Sequence, residues 1–316
     1  NLMSKANKSS SCKIHYDTEF VSWTIHKANI ENALLGKKGL LFLDVESAGE
    51  IEFKDSSCKI NKKSEKLCDK TMSSGLKFKN GSTDSVYTPL AVVNFHTHPL
   101  NCYIDAETIW GWPSGEDLAQ CMNFANDNNV THIIFAIEGT YVIDVNKFII
   151  NALQTNKSLF KKIRKNVEEI FKLTHKHRMI YNDSNPNISL EHEFNEIFLS
   201  PLGLRPQKNI LLSWLYLVNN LTIRNLITLS NEFSKYFKAV SKISSKELNM
   251  NENIEKYLNM KLFSIDFFKN STIQWKSGIS KQELFNYMSN HLTNLEIGLP
   301  SKIQYKAPFI SENCKL

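Results

Sequence analysis

Leu90-Ala91-Val92-Val93-Asn94-Phe95-His96-Thr97-His98-Pro99 is the stretch whose reading decides the fold. Its apolar half is short, rich in β-branched residues and preceded by Pro89, the pattern of a buried strand. Side chains two residues apart on a strand point to the same side, so His96 and His98 can reach one metal ion, with Pro99 stiffening the exit. Further on, Ser114-Gly115-Glu116-Asp117 precedes Leu118-Ala119-Gln120-Cys121-Met122. Asp117 can add a hard oxygen ligand and leave a fourth position for water. Two imidazoles, one carboxylate and one water make a catalytic rather than a structural zinc pattern.

Each part also has a plain structural reading. Ser114 three residues before Asp117 is a good helix N-cap with an acidic third residue. A lone His-x-His pair is often only a pair of strand histidines. The conjunction of a strand ending in His-Thr-His-Pro, a spacer and Pro-Ser-x-x-Asp opening a helix is far rarer than either half. The two readings of Ser114 and Asp117 are compatible, because a capped helix start can hold a ligating carboxylate rigidly.

These residues resemble the JAMM (MPN-plus, JAB-type) zinc metalloproteases, whose motif is a distant Glu, then His-x-His-Pro, a spacer, and Ser-x-x-Asp. The resemblance covers about residues 13–150, under half of the chain. It implies an α+β domain of MPN type, with a cytidine-deaminase-like sheet and flanking helices, and Zn2+ held by His96, His98 and Asp117. It also implies that Ser114 positions the attacking water and stabilises the oxyanion. The family contains isopeptidases that remove ubiquitin or ubiquitin-like modifiers, so ubiquitin conjugates are the implied substrates.

Two departures stand out. The spacer from Leu100 to Pro113 is longer than is usual in the family and carries Trp110 and Trp112; a surface bulge would accommodate it at little thermodynamic cost, with the tryptophans buried on the domain. The second concerns the general base. Glu46-Ser47-Ala48-Gly49-Glu50-Ile51 fits the family's Glu-x-x-Gly string. Yet Leu40–Val45 and Ile51–Lys54 read as two strands of a hairpin, which puts Glu46 in the turn, at the wrong end of a strand. Counting from Gly39-Leu40-Leu41 lands instead on Gly36, which has no side chain to act. Glu19 and Glu31 are further candidates, and Glu46 is the tentative base. The competing reading is an MPN domain without turnover, a scaffold or structural protein of a larger assembly such as a virus particle.

Composition sets the bounds. The chain has 316 residues, 42% hydrophobic and 22% charged, enough for one large or two ordinary domains and against wholesale disorder. The net charge of +6 is spread out, and segments such as Lys161-Lys162-Ile163-Arg164-Lys165 read as a solvated helix face rather than a nucleic-acid site. The six cysteines form no Cys-x-x-Cys pair and suit a reducing compartment, cytoplasm or nucleus; a Cys58–Cys68 bridge is the minor alternative. No secretory signal opens the sequence, and no apolar run is long enough to span a membrane.

The expected organisation is a flexible arm at 1–12, the metal-binding domain at 13–150 and a mainly helical region at 151–316 that packs on it or recruits protein partners. Apolar spacing near 3.6 residues marks helices at 159–173, 190–199 and 210–236, the last broken near Asn219-Asn220. His132, in the strand Thr131–Ile137, is read as a sheet residue with a local hydrogen-bond partner rather than a ligand. A terminal extended strand, 303–310, is expected to add to the catalytic sheet.

Overall fold

The computed structural model describes residues 14–36, 39–54, 73–83, 85–127, 129–175, 190–235, 240–249, 252–271, 273 and 280–310. The arm at 1–12 and the Cys58–Cys68 pair lie outside the described residues. In chain order, β1 (Ile14–Thr24) precedes α1 (Lys27–Leu35) and a 3-10 turn, Leu40–Phe42. Then come β2 (Ser47–Lys54), β3 (Ser73–Asn80), β4 (Val93–Thr97), α2 (Leu100–Asp105) and α3 (Gly115–Asn126). β5 (Thr131–Phe135) and β6 (Gly139–Val145) lead into α4 (Lys147–Gln154) and α5 (Lys157–Thr174). α6 (Leu190–Phe194) runs into a π-helical turn, followed by α7 (Ile210–Asn219), α8 (Ile223–Phe233) and the short α9 (Ser245–Asn249) and α10 (Glu252–Glu255). β7 (Phe263–Lys269), α11 (Lys281–Leu292) and β8 (Lys302–Ile310) close the series.

The chain divides into two compact units. One comprises residues 1–26, 53–75 and 300–316, and in it β1 and β8 pair antiparallel, with Val21 opposite Tyr305. The expected addition of the terminal strand to the central sheet is corrected: β8 pairs with β1 in a separate two-stranded sheet.

The second unit, residues 27–52 and 76–299, is α+β and carries a six-stranded mixed sheet in the order β3-β2-β4-β5-β6-β7. Because β7 pairs with β6, this sheet takes a strand from well beyond residue 150. β4 and β5 are parallel, and β2–β4, β5–β6 and β6–β7 are antiparallel. Every residue of β4 and β5 is buried, as expected when helices cover both faces of a sheet. A parallel pair needs a crossover, and here it runs through α2 and α3. The crossover brings the start of α3 back to the sheet beside the end of β4.

The helices follow from their sequence. α5 buries Leu159, Ile163, Val167 and Ile170 on one stripe, each contributing up to about 1.5–3 kcal/mol of transfer free energy. Asn156 caps α5 by accepting from Leu159 N at 3.1 Å. The long helical segment at 210–236 is broken where expected: Asn220 ends α7, and Thr222 starts α8 by accepting from Asn225 N at 3.0 Å.

The expected hairpin is corrected. Leu40–Phe42 is a 3-10 turn with Leu40 and Leu41 buried, Phe42 N donating to Gly39 O at 2.9 Å. A short apolar run does not distinguish a strand from a buried helical turn. Glu46 consequently stands immediately before β2, not in a turn between strands. The glycine of its string is required, since a Cβ on Gly49 would lie 1.8 Å from the Lys77 carbonyl oxygen in neighbouring β3.

Candidate metal centre

His96 occupies the fourth position of β4, and His98 follows the strand directly, its N–H donating to Phe135 O of β5 at 2.8 Å. Both imidazoles are buried. Asp117 comes from the first turn of α3. Ser114 caps that helix: its Oγ accepts from Asp117 N at 3.0 Å, and Asp117 Oδ2 accepts from Ser114 N at 2.7 Å. The cap is thus present, and the same carboxylate reaches the histidines, Oδ1 facing His96 and the capping oxygen Oδ2 facing His98.

The crossover assembles the three groups. His96 Nε2 lies 3.1 Å from His98 Nε2 and 3.3 Å from Asp117 Oδ1, and His98 Nε2 lies 3.6 Å from Asp117 Oδ2. One donor atom from each residue falls within 4.8 Å of the others. For a tetrahedral zinc with bonds of about 2.0–2.1 Å, the ligand atoms stand about 3.3–3.4 Å apart, close to these separations. The tautomers sharpen the fit. His98 Nδ1 is 2.6 Å from Gly111 O, and a carbonyl can only accept, so the proton sits on Nδ1 and the Nε2 lone pair faces the cluster. His96, His98 and Asp117 are therefore a group that could hold a metal ion.

Burial alone would raise the Asp117 carboxyl, but the charge and hydrogen bonds of His96, then His98, outweigh it and hold Asp117 well below the usual carboxylate range. Burial lowers the His98 pKa, yet Asp117, together with smaller contributions from Glu46 and the Gly111 carbonyl, outweighs it, and the pKa is raised. His132 is pushed well below the usual imidazole range, first by burial and then by the neighbouring His96.

These residues face a cavity of about 410 Å3 whose walls include His96, His98, Ser114 and Asp117. Glu46 lines the same cavity. The register explains why: Ala48 pairs with His96, and Ser47 N donates to Thr97 Oγ1 at 3.0 Å, so Glu46 leads into β2 at the level of His98. Its backbone is fixed by Gly81 N donating to its carbonyl at 2.8 Å, and Cys102 Sγ approaches its Oε1 at 3.9 Å. Glu31 instead pairs with Lys27 on α1, and the side chain of Glu19 lies outside the described residues.

The long spacer does not bulge. It forms α2 and a buried return in which Trp112 stacks on Trp214 of α7, ring centroids 5.5 Å apart; Trp110 is buried too. Gly111, between the two tryptophans, holds His98 through its carbonyl and donates its N–H to Glu138 Oε1 at 2.7 Å. Glu138 is wholly buried and also accepts from Tyr141 Oη at 2.6 Å and from Tyr103 Oη. Burial raises its pKa despite these donors. The one sequence signal for Glu138 is an acidic residue closing the apolar run Ile133–Ile137. His175, at the end of α5, also lines the cavity.

No family model matches the chain, and no solved structure matches it at a significant level. Among curated proteins, the uncharacterized protein 3R of Frog virus 3 (isolate Goorha) is 32% identical over 63 residues. That stretch is 20% of this chain and 14% of the viral protein, so the chain spans only a small part of that relative. No helix among the described residues is long and apolar enough to cross a membrane.

Proposed function

We propose that this protein is a zinc-dependent hydrolase of amide or isopeptide bonds, of the JAMM type and MPN fold, acting on ubiquitin or ubiquitin-like conjugates. One observation carries the reading: Glu46 lines the same cavity as the convergent His96, His98 and Asp117. A three-ligand site with a carboxylate beside it is the arrangement that metal-assisted hydrolysis needs. His96 and His98 supply neutral imidazoles and Asp117 a charged oxygen. Zinc held there would lower the pKa of water towards about 7 and polarise the scissile carbonyl. Glu46 takes the proton of the attacking water and returns it to the departing amine. The Ser114 hydroxyl, whose oxygen already accepts from Asp117 N, keeps its own proton to donate to the developing oxyanion. The likeness to a frog-virus protein supports a viral setting and carries nothing about the chemistry.

The test is cleavage of ubiquitin chains by the zinc-loaded full chain and its Glu46→Gln variant. The expected outcome is cleavage by the wild type and a loss of about 10²–10⁴-fold in the variant at undiminished zinc content. One zinc per chain with no cleavage by the wild type would favour the scaffold reading. Equal cleavage by both proteins would remove Glu46 from the mechanism.

A further inference from the structure

We propose that His132 is a positioning residue of this centre, holding His96 in the tautomer that presents a bare Nε2 to the cation; the proposal rests on the metal-binding reading above. The hydrogen-bond chain behind His96 can be read from its fixed end. Pro89 O can only accept, so the Asn94 atom 2.9 Å from it is the amide nitrogen, which turns Asn94 Oδ1 towards His132. Asn129 Nδ2 faces the Ala91 and Thr131 carbonyls at 2.8 and 3.1 Å, so it is also a nitrogen that Asn129 presents to Asn94 Oδ1, at 2.9 Å. Asn94 Oδ1 therefore accepts, and His132 Nδ1, 2.8 Å away, carries the proton.

Neutral His132 is left with a lone pair on Nε2. His96 Nδ1 lies 2.8 Å from that atom and donates to it. The proton of His96 is thereby kept on the side away from the cluster, and its Nε2 is free.

The contact is an in-plane hydrogen bond rather than a face-to-face stack. The planes of the two rings are within 28° of each other, and their centroids, 4.9 Å apart, are separated by far more than the nitrogens are. The fold places the pair: Asn94 and His132 are register partners on parallel β4 and β5, and His96 is two residues past Asn94 on the same side. His132 is 1% exposed, so water does not compete for the bond. Such second partners of ligating histidines are typically worth about 10–100-fold in metal affinity.

The test is zinc affinity of the full chain by chelator competition, for wild type, His132→Phe and His132→Gln. Phenylalanine keeps the ring but cannot accept, whereas glutamine can place Oε1 near the position of Nε2. The expected result is a loss of about 10–100-fold for His132→Phe and recovery to within about threefold of wild type for His132→Gln. Wild-type affinity in His132→Phe, or a glutamine variant as weak as the phenylalanine one, would overturn the proposal. A readout on the wild type does not depend on the variants folding: long-range 1H–15N spectra of the zinc-loaded chain should place the proton of both His96 and His132 on Nδ1. A His132 proton on Nε2 overturns the proposal. Failure of the underlying reading looks different: the wild type takes up no zinc, or His98→Ala leaves the affinity unchanged, and both proposals then fall together.

Discussion

Gly115→Ala separates a packing role from ordinary helix propensity. Gly115 is the first residue of α3, and an alanine there should be favourable by up to about 1 kcal/mol if the site were open. It is not open. A Cβ at this position would lie 2.1 Å from Glu168 O and 2.7 Å from Lys172 N, both backbone atoms of α5 that no rotamer change can move. Ordinary contact begins at 3.4 Å, so the helices must part by about 1.3 Å, the difference between 3.4 and 2.1 Å. Overpacking of this kind costs about 1–3 kcal/mol and outweighs the propensity gain.

The displaced segment is the helix start that carries Ser114 and Asp117, whereas His96 and His98 stay with the sheet. Metal–ligand distances tolerate only about 0.2 Å, so zinc affinity should fall at least about tenfold. The assay is urea unfolding of the metal-free and zinc-loaded chains. The metal-free variant should lose about 1–2 kcal/mol. The extra stability conferred by saturating zinc should shrink by a further ~1.4 kcal/mol or more, the equivalent of tenfold in affinity. A variant as stable as wild type, with an unchanged zinc increment, would refute both the packing and the positional argument.

Other substitutions probe the supports of the site. Trp214→Ala should cost about 3–5 kcal/mol and weaken zinc binding, because it strips the stack from Trp112 beside the carbonyl that holds His98; a stability loss with unchanged zinc affinity would show that the spacer holds itself. Glu138→Ala leaves three buried donors (Tyr103 Oη, Tyr141 Oη and Gly111 N) without their acceptor and should cost at least about 3 kcal/mol by urea unfolding; a loss below about 1 kcal/mol would contradict it. Burial raises Asp144 from 3.8 to about 6, so its protonated form is favoured by folding: that stability is present below about pH 4 and is lost as pH rises through about 6. At ~1.36 kcal/mol per unit the loss is up to about 3 kcal/mol, and Asp144→Asn, which can still accept from Thr131 Oγ1, should flatten the stability difference between pH 4.5 and 7; parallel curves for the two proteins would refute it.

The grouping of His96, His98 and Asp117 was legible because its signal is local: strand, histidine spacing and helix cap all lie within the segment from Leu90 to Met122. The same holds for α5, α7 and α8, whose apolar spacing and Asn or Thr caps mark them in the sequence. What was not legible depends on tertiary pairing. Leu40–Phe42 has the composition of a strand and the structure of a buried turn, and that single difference moved Glu46 from a presumed turn to the start of β2. Ser73–Asn80 lacks a continuous apolar run yet forms the edge strand β3, where Lys77 pairs with Glu50 and Glu52 across the sheet, the kind of charged edge that discourages further strand addition. The burial of the spacer's tryptophans was legible but the partner was not: Trp112 meets Trp214 of α7, more than a hundred residues later. His132 was read correctly as a sheet residue with a hydrogen-bond partner; that the partner is His96 follows only from the parallel register of β4 and β5.

The most direct test of the central claim is the zinc content of the purified full chain, by elemental analysis, beside a His96→Ala/His98→Ala double variant shown to be folded. The account predicts about one zinc per chain in the wild type and none retained by the variant. A well-folded wild type without zinc after exposure to the metal, or a double variant that binds it equally, would contradict the metal centre on which the proposed hydrolysis depends.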